Sequence, residues 1–129
     1  MILADSDVLI DYLLGVSPAR EQVTHLIESG MLQTTTVNCF EILQGAGEGR
    51  EGDAARRLVK TIPSLPLDRQ AAERAAAVSR HLKRSGQSIG MGDSLIAGIA
   101  LANNLPLLTR NRDHFIRVPR LTLVKVQNI

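Results

Sequence analysis

The opening stretch MILADSDVLID brings Asp5, Asp7 and Asp11 within seven positions of one another. Asp5 closes the apolar run Met1 to Ala4, and Asp7 leads directly into Val8, Leu9 and Ile10. Further along, Glu41 stands in TVNCFEILQGAG beside Phe40, Ile42 and Leu43, and Asp93 opens the apolar stretch DSLIAGIALAN. A carboxylate buried without a partner is costly. Two of them about 6 Å apart repel by roughly 3 kcal/mol at an effective dielectric near 20, so three that converge call for a cation among them. Hard divalent ions suit oxygen ligands, and Mg²⁺ takes one or two carboxylates while keeping waters and phosphate oxygens. Such an ion acidifies bound water and stabilises charge at phosphorus, so hydrolysis of a phosphate ester is the chemistry that Asp5, Glu41 and Asp93 together would serve.

Taken singly, two of these acids have a plainer use. Asp93 and Asp5 can each cap a helix, with Ser6 able to share the second role, and a cap is worth about 1 kcal/mol. Glu41 has no such alternative, and its apolar neighbours predict at least partial burial. The histidines add little: His25 and His81 fall on charged helical stretches and are expected to be exposed, and His114 lies in a short basic stretch with no partner at metal-ligand spacing.

The elements that must position the acids follow from the apolar pattern. Short apolar runs near 1–5, 31–34, 64–67, 105–108 and 121–126 predict strands, each bounded by Gly, Pro, Thr or Asp. Between them lie helical stretches. One is predicted to begin with Pro18 in its first turn and Ser17 as cap, with Val23, Leu26 and Ile27 as its apolar stripe. Another starts at Asp68 and ends on basic residues with Gly86 as its C-terminal signal. The glycine-rich segment Gly45–Asp53 reads as a loop between two helices. Strands separated by helices imply an α/β fold with a parallel sheet covered on both faces. Polar sites of such sheets lie outside the carboxyl ends of the strands. Asp5, Glu41 and Asp93 are each expected near such an end.

At 129 residues and 44% hydrophobic content the chain is expected to form a single domain over 1–129. The N-terminal residues carry no basic region of the kind a signal peptide needs, and the longest apolar stretch, near Leu95–Ala102, is too short to cross a bilayer. The expectation is a soluble, cytoplasmic protein with no membrane partner. The one cysteine, Cys39, cannot form an internal disulfide and is expected to be a small buried hydrophobe. Net charge is only +2, yet Arg110, Arg112, Arg117 and Arg120 crowd the last fifth of the chain, which is compatible with a phosphate-bearing partner. Aromatic residues are scarce, so a base-stacking platform is missing and the nucleic-acid backbone would be the handle.

The segments ADSDVLIDYL, TTTVNCFEILQGAG and GDSLIAGIALANNLPLLTRNRDHF, in that order and spacing, resemble the PIN domain, and in layout the VapC-type ribonuclease toxins of bacterial toxin–antitoxin pairs. The resemblance implies an α/β/α sandwich around five parallel strands, an endoribonuclease dependent on Mg²⁺ or Mn²⁺, an RNA substrate, a homodimer and a cognate antitoxin. It makes Asp5, Glu41 and Asp93 the first three acids of the site and metal ligands, with Ser6 as the small hydroxyl residue after the first acid and Thr109 as a hydroxyl at the end of the fourth strand. The fourth acidic position departs from the pattern. Asn111 stands where many members carry Asp, and either Asn111 or Asp113 serves there as an outer partner that orients water. Arg110 and Arg112 are the candidates for gripping the RNA backbone, and Asp7 is at most supporting.

Two rivals are carried beside this reading. A haloacid-dehalogenase-like phosphatase is echoed by DSD and a later GD, but Leu9 stands where Thr or Val is expected and no second Asp follows in GDSLIAG. A non-catalytic PIN-like domain that binds RNA or protein would be signalled by loss of acids, of which three remain.

Overall fold

The computed structural model describes residues 1–129. Five strands form one all-parallel sheet in the order β3-β2-β1-β4-β5: β1 Ile2–Ala4, β2 Leu32–Thr35, β3 Ser64–Leu65, β4 Leu107–Leu108 and β5 Leu123–Val124. Four fall within the predicted apolar runs, and β2 extends one residue past its run, to Thr35. The chain builds outward from β1 to β3 on one side, then returns to the other side of β1 with β4 and β5. The order therefore reverses between β1 and β4.

Seven helices cover the sheet: α1 Ser6–Leu13, α2 Ala19–Glu28, α3 Thr36–Gly45, α4 Gly49–Thr61, α5 Arg69–Arg84, α6 Met91–Ala102 and α7 Arg112–Phe115. Successive strand side chains point to opposite faces, and the core divides accordingly. Ala4 and Leu108 face one apolar cluster with Val8, Leu9, Val23 and Leu58, whereas Leu3 and Leu107 face the other with Val78, Leu82, Ile96 and Phe115. The α/β/α sandwich expected from the sequence is the fold observed. No helix is long and apolar enough to cross a membrane.

Local sequence sets most boundaries. Asp5 caps α1 by accepting from the Ser6 amide, Thr35 caps α3 by accepting from the Asn38 amide, and Asp68 caps α5 by accepting from the Ala71 amide. Gly86, just past the end of α5, takes the left-handed backbone that closes a helix, at φ +69°.

Three boundaries differ from expectation. Asp93 is not a cap, because Gly90 holds that position and Asp93 lies inside the first turn of α6, where a carboxylate meets the positive end of the helix dipole. No strand directly precedes it either, since α6 follows α5. Ser17 does not cap α2: its hydroxyl donates to the Glu21 carboxylate instead, and Pro18 occupies the cap position. The segment Gly45–Asp53 is mostly helical, with only residues 46–48 outside α3 and α4. Gly52, Ala55 and Leu58 recur every three residues and turn a small, apolar stripe inward, which outweighs the weak helix propensity of the glycines.

Helix α6 is buried along most of its length, and α5 crosses it at very short range. A Cβ on Gly98 would stand 2.5 Å from the Ala71 carbonyl oxygen and 2.6 Å from the Ala75 Cβ. The two helices can meet here only because residue 98 has no side chain. Replacing glycine inside a helix by alanine gains about 1 kcal/mol of propensity, whereas overpacking against backbone costs about 1–3 kcal/mol. Gly98→Ala is therefore expected to lower Tm by several degrees, on the order of 4 °C per kcal/mol lost. Paired thermal unfolding curves check this, and a Tm at or above wild type would show that α5 can retreat freely.

Candidate active site

The reversal of strand order between β1 and β4 opens a crevice at their carboxyl ends, and the first residue past each strand meets the other there. Asp5 follows β1 and Thr109 follows β4; the Thr109 hydroxyl donates to Asp5 Oδ2 at 2.7 Å. Asp5 Oδ1 accepts from the Ser6 amide at 2.8 Å and from Asn38 Nδ2 at 3.0 Å. Donors from three segments thus converge on one buried carboxylate, which is 6% exposed.

Asn38 connects the second acid to the first. The Thr35 hydroxyl donates to Asn38 Oδ1 at 2.7 Å, which turns the Nδ2 group away from Thr35 and toward the carboxylates. Besides Asp5, Nδ2 reaches Ser6 Oγ at 2.8 Å and Glu41 Oε1 at 3.4 Å. The Ser6 hydroxyl in turn donates to Glu41 Oε1 at 2.6 Å. Glu41 is half-buried, as its neighbours predict, although Phe40 beside it is 61% exposed. Its Oε2 lies where a Cβ on Gly92 would come within 3.1 Å, so the missing side chain at Gly92 leaves room between Glu41 and the first turn of α6.

Asp93 Oδ2 receives the Asn111 amide nitrogen at 3.2 Å and lies 3.1 Å from His114 Nδ1. Asn111 is held in place because its backbone amide donates to the Thr109 hydroxyl. Between the two candidates for the fourth acidic position, Asn111 is therefore the residue that meets Asp93, and Asp113 is exposed on α7. Arg110 is turned elsewhere. Its guanidinium pairs with Asp11 at 2.8 Å, and its backbone amide donates to Asp7 Oδ2 at 3.1 Å. Arg112 is half-buried at the start of α7 and takes part in no ion pair.

Burial raises the Asp5 carboxyl to about 6; the charge of Asp7 adds to the rise and that of Asp93 adds less, while the Thr109 and Ser6 hydrogen bonds oppose it. Burial also raises Asp7, against the lowering effect of Arg110, and its Oδ1 is buried with no hydrogen-bond partner. The end of the sheet therefore holds more negative charge than its own donors neutralise. No three acidic, histidine or cysteine side chains close by themselves into a ligand set. A hard divalent cation that fills part of its coordination with water is the kind that such oxygen donors suit.

Asn38 and His114 were not singled out from the sequence. Asn38 stands three residues before Glu41 on α3, the spacing that places two side chains on one helix face, and that signal was available. His114 stands three residues after Asn111 on the same short turn.

Chain comparisons show what the sequence and the fold as a whole are similar to. The PIN domain family model matches residues 2–121. Ribonuclease VapC10 of Mycobacterium tuberculosis is 38% identical over 117 residues, covering 89% of this chain and 86% of its own. Ribonuclease VapC1 of Methanocaldococcus jannaschii is 27% identical over 122 residues, covering 95% and 84%. Among solved structures, the fold is shared with VapBC2 from Rickettsia felis bound to a promoter DNA fragment, at TM-score 0.83 and 18% identity over 98% of this chain and 100% of that one. DNA-bound VapBC from Salmonella typhimurium gives TM-score 0.83 at 20% identity, covering 98% of each chain.

The Asp5 carboxyl yields a pH prediction. Its folded pKa of about 6 lies above the ordinary value of 3.8, so between these values the folded state holds a proton that the unfolded state has lost. Stability from this group is fully present below about pH 4 and is lost as pH rises through 6, a difference of about 3 kcal/mol at 1.36 kcal/mol per unit. In EDTA, wild type is expected to gain Tm on going from pH 7 to pH 5. The near-isosteric Asp5→Asn should flatten this dependence and melt at or above wild type at pH 7. Parallel pH–Tm curves for the two proteins would refute the assignment.

Proposed function

The chain belongs to the PIN domain family, and we propose that it is a VapC-type endoribonuclease, the toxin of a toxin–antitoxin pair, built as one domain over residues 1–129 and acting in the cytoplasm on RNA phosphodiester bonds. The observation that carries this reading is the buried Asp5 carboxylate, fixed by Ser6, Asn38 and Thr109 at the strand-order reversal with Glu41 and Asp93 beside it. A phosphatase of the haloacid-dehalogenase type would need its first carboxylate free to attack phosphorus. Here Oδ1 of Asp5 accepts two hydrogen bonds and Oδ2 one, and it is the PIN domain match over residues 2–121 that favours a ligand role over a nucleophile.

In this reading Asp5 and Asp93 hold a divalent ion, Mg²⁺ or Mn²⁺, directly, and Glu41 holds it directly or through water. When bound, the ion lowers the pKa of water and neutralises charge developing at phosphorus. The protein's own part is orientation. Thr109 and Asn38 fix both oxygens of Asp5, Ser6 fixes one oxygen of Glu41 and leaves Oε2 open, and Asn111 with His114 fixes one oxygen of Asp93. Asn111 contributes no charge, so the site accommodates one ion more readily than two. Arg112, which opens α7 and is in no ion pair, is the remaining candidate to meet the RNA backbone, whereas Arg110 ties the β4–α7 turn to α1 through Asp7 and Asp11.

A groove of about 190 Å³ runs from Glu41 along Ile10, Leu13, Leu14 and Ala54. Its apolar lining next to an acidic site suits an antitoxin segment with an apolar face and a basic residue that reaches the carboxylates. A homodimer remains part of this proposal.

Expression of the chain alone is expected to arrest bacterial growth, and Asp5→Asn or Asp93→Asn should relieve it. Cleavage in vitro should fall by more than roughly 100-fold, beyond the 10–100-fold usual for groups that only support a ligand. Asp93→Asn should also gain less Tm from added Mn²⁺ than wild type does, because only the folded state assembles the site. Equal growth arrest by all three proteins would overturn the nuclease reading.

A further inference from the structure

The site described above leaves untouched the strongest concentration of positive charge in the chain. Helix α5 carries Arg69, Arg74, Arg80, Lys83 and Arg84, with His81 among them, against one acid, Glu73. All six are exposed, and none is in an ion pair. Arg74 and His81 lie seven positions apart, two turns and about 10 Å along one side of the helix. Between that side and the loop before β5 runs an open groove of about 370 Å³, where Arg74, His81 and Arg120 stand over Ala77, Val78 and Leu101 and no acidic residue contributes.

Arg120 gives the groove its second wall and does so from a costly backbone. Its φ is +70°, a left-handed conformation that is strained for a residue with a Cβ and free for glycine. A long cation is held where glycine would be the cheaper residue, and local strain of this kind marks places where the side chain has a task. Arg120 also borders a smaller cleft with Pro106 and Thr122, the residues just before β4 and β5. The groove therefore lies toward the amino ends of the strands, away from the acids. Arg117 is excluded from it because its guanidinium donates to the Gln87 and Ser88 carbonyls.

We infer that the groove formed by Arg74, His81 and Arg120 is a second binding surface for the sugar–phosphate backbone of RNA, which grips the substrate away from the bond that is cut. The inference rests on the nuclease reading for the identity of the polyanion. Positive groups without interleaved aromatics bind backbone and not bases, which matches a groove whose floor is aliphatic. A domain of this length has a radius of gyration of about 14 Å, equivalent to a sphere about 36 Å across, so acids and groove are separated by no more than roughly that span, which a stem of about 15 base pairs covers. An RNA with an extended stem reaches both, and a very short one does not.

The test uses the double variant Arg74→Gln/Arg120→Gly, whose second change also relieves the left-handed strain. In the non-cleaving Asp5→Asn background, its Kd for a fluorescein-labelled RNA hairpin with a stem of about 15 base pairs should rise at least tenfold, and the slope of log K against log salt should shrink by about 1.8, or 0.9 for each of two lost phosphate contacts. With Asp5 intact, KM for the hairpin should rise with kcat unchanged, while a hexanucleotide is cut as well as by wild type. Unchanged hairpin affinity and salt slope would overturn the inference and leave the nuclease reading standing. An equal loss on the hexanucleotide would also overturn it, since the change would then act at the acid site. A shift in sedimentation with RNA affinity unchanged would assign the groove to a protein contact and overturn it too. If wild type cuts no RNA but the double variant still loses hairpin affinity, the groove stands and the nuclease reading falls.

Discussion

An ionised carboxylate has been taken out of water at the one place where the sheet changes direction, and much of the surrounding structure answers to that. Asp5 needs donors, and a parallel sheet supplies few of its own at the carboxyl ends of its strands. The hydrogen bonds come from the helix that Asp5 itself caps, from α3 through Asn38 and from the end of β4 through Thr109. Each of these donors is itself fixed: Asn38 by the hydroxyl that caps α3, and Thr109 by its place at the end of β4. The contacts that complete secondary structure and those that orient the acid are often the same contacts. The donors reduce the cost of burial without removing it, because burial and the neighbouring acids still raise the carboxyl to about 6.

The second requirement is that Asp93 reach the same crevice from a helix whose preceding element is another helix. Its position depends on how closely α5 and α6 pack. Gly98 and the alanines of α5 let the two backbones approach within the reach of a single missing methyl group. That contact sets where the first turn of α6 stands relative to β1. The small side chains of SLIAGIALA, which read in the sequence only as a buried helix, thus have a geometric consequence for the carboxylate a turn and a half away. Asn111 and His114 then hold the side chain from the opposite direction.

What could be read in advance follows the same division. The five strands and the three acids were legible because both are local signals: a short apolar run ends, and a carboxylate follows it or stands against an apolar face. The residues missed carry no such signal. Asn38 looks like any polar residue in a first helical turn, and its importance comes from Thr35 turning its amide and from β1 lying beside β2. His114 meets Asp93 across 21 positions of sequence, a contact that depends on the turn after β4. The glycine-rich stretch misled because glycine weakens a helix in isolation, yet burial of Ala55 and Leu58 supplies the stability that propensity withholds. Asp93 misled in the other direction, since a residue suited to capping sits three positions inside its helix.

Charge is distributed along the chain in a way that its net value of +2 conceals. Acids gather around the carboxyl ends of β1, β2 and β4, and Arg110 there pairs with Asp11 and offsets Asp7 only in part. Unpaired cations gather instead on α5 and at Arg120. A polyanion approaching the acid end alone meets repulsion that only a bound cation relieves, and within a Debye length of about 8 Å that repulsion is not screened away at physiological salt. Attraction must then come from elsewhere on the surface. Separating the two signs keeps the acid end negative while the exposed face of α5 with Arg120 stays positive. Arginines moved beside Asp5 would instead cancel the negative charge that the fold concentrates there.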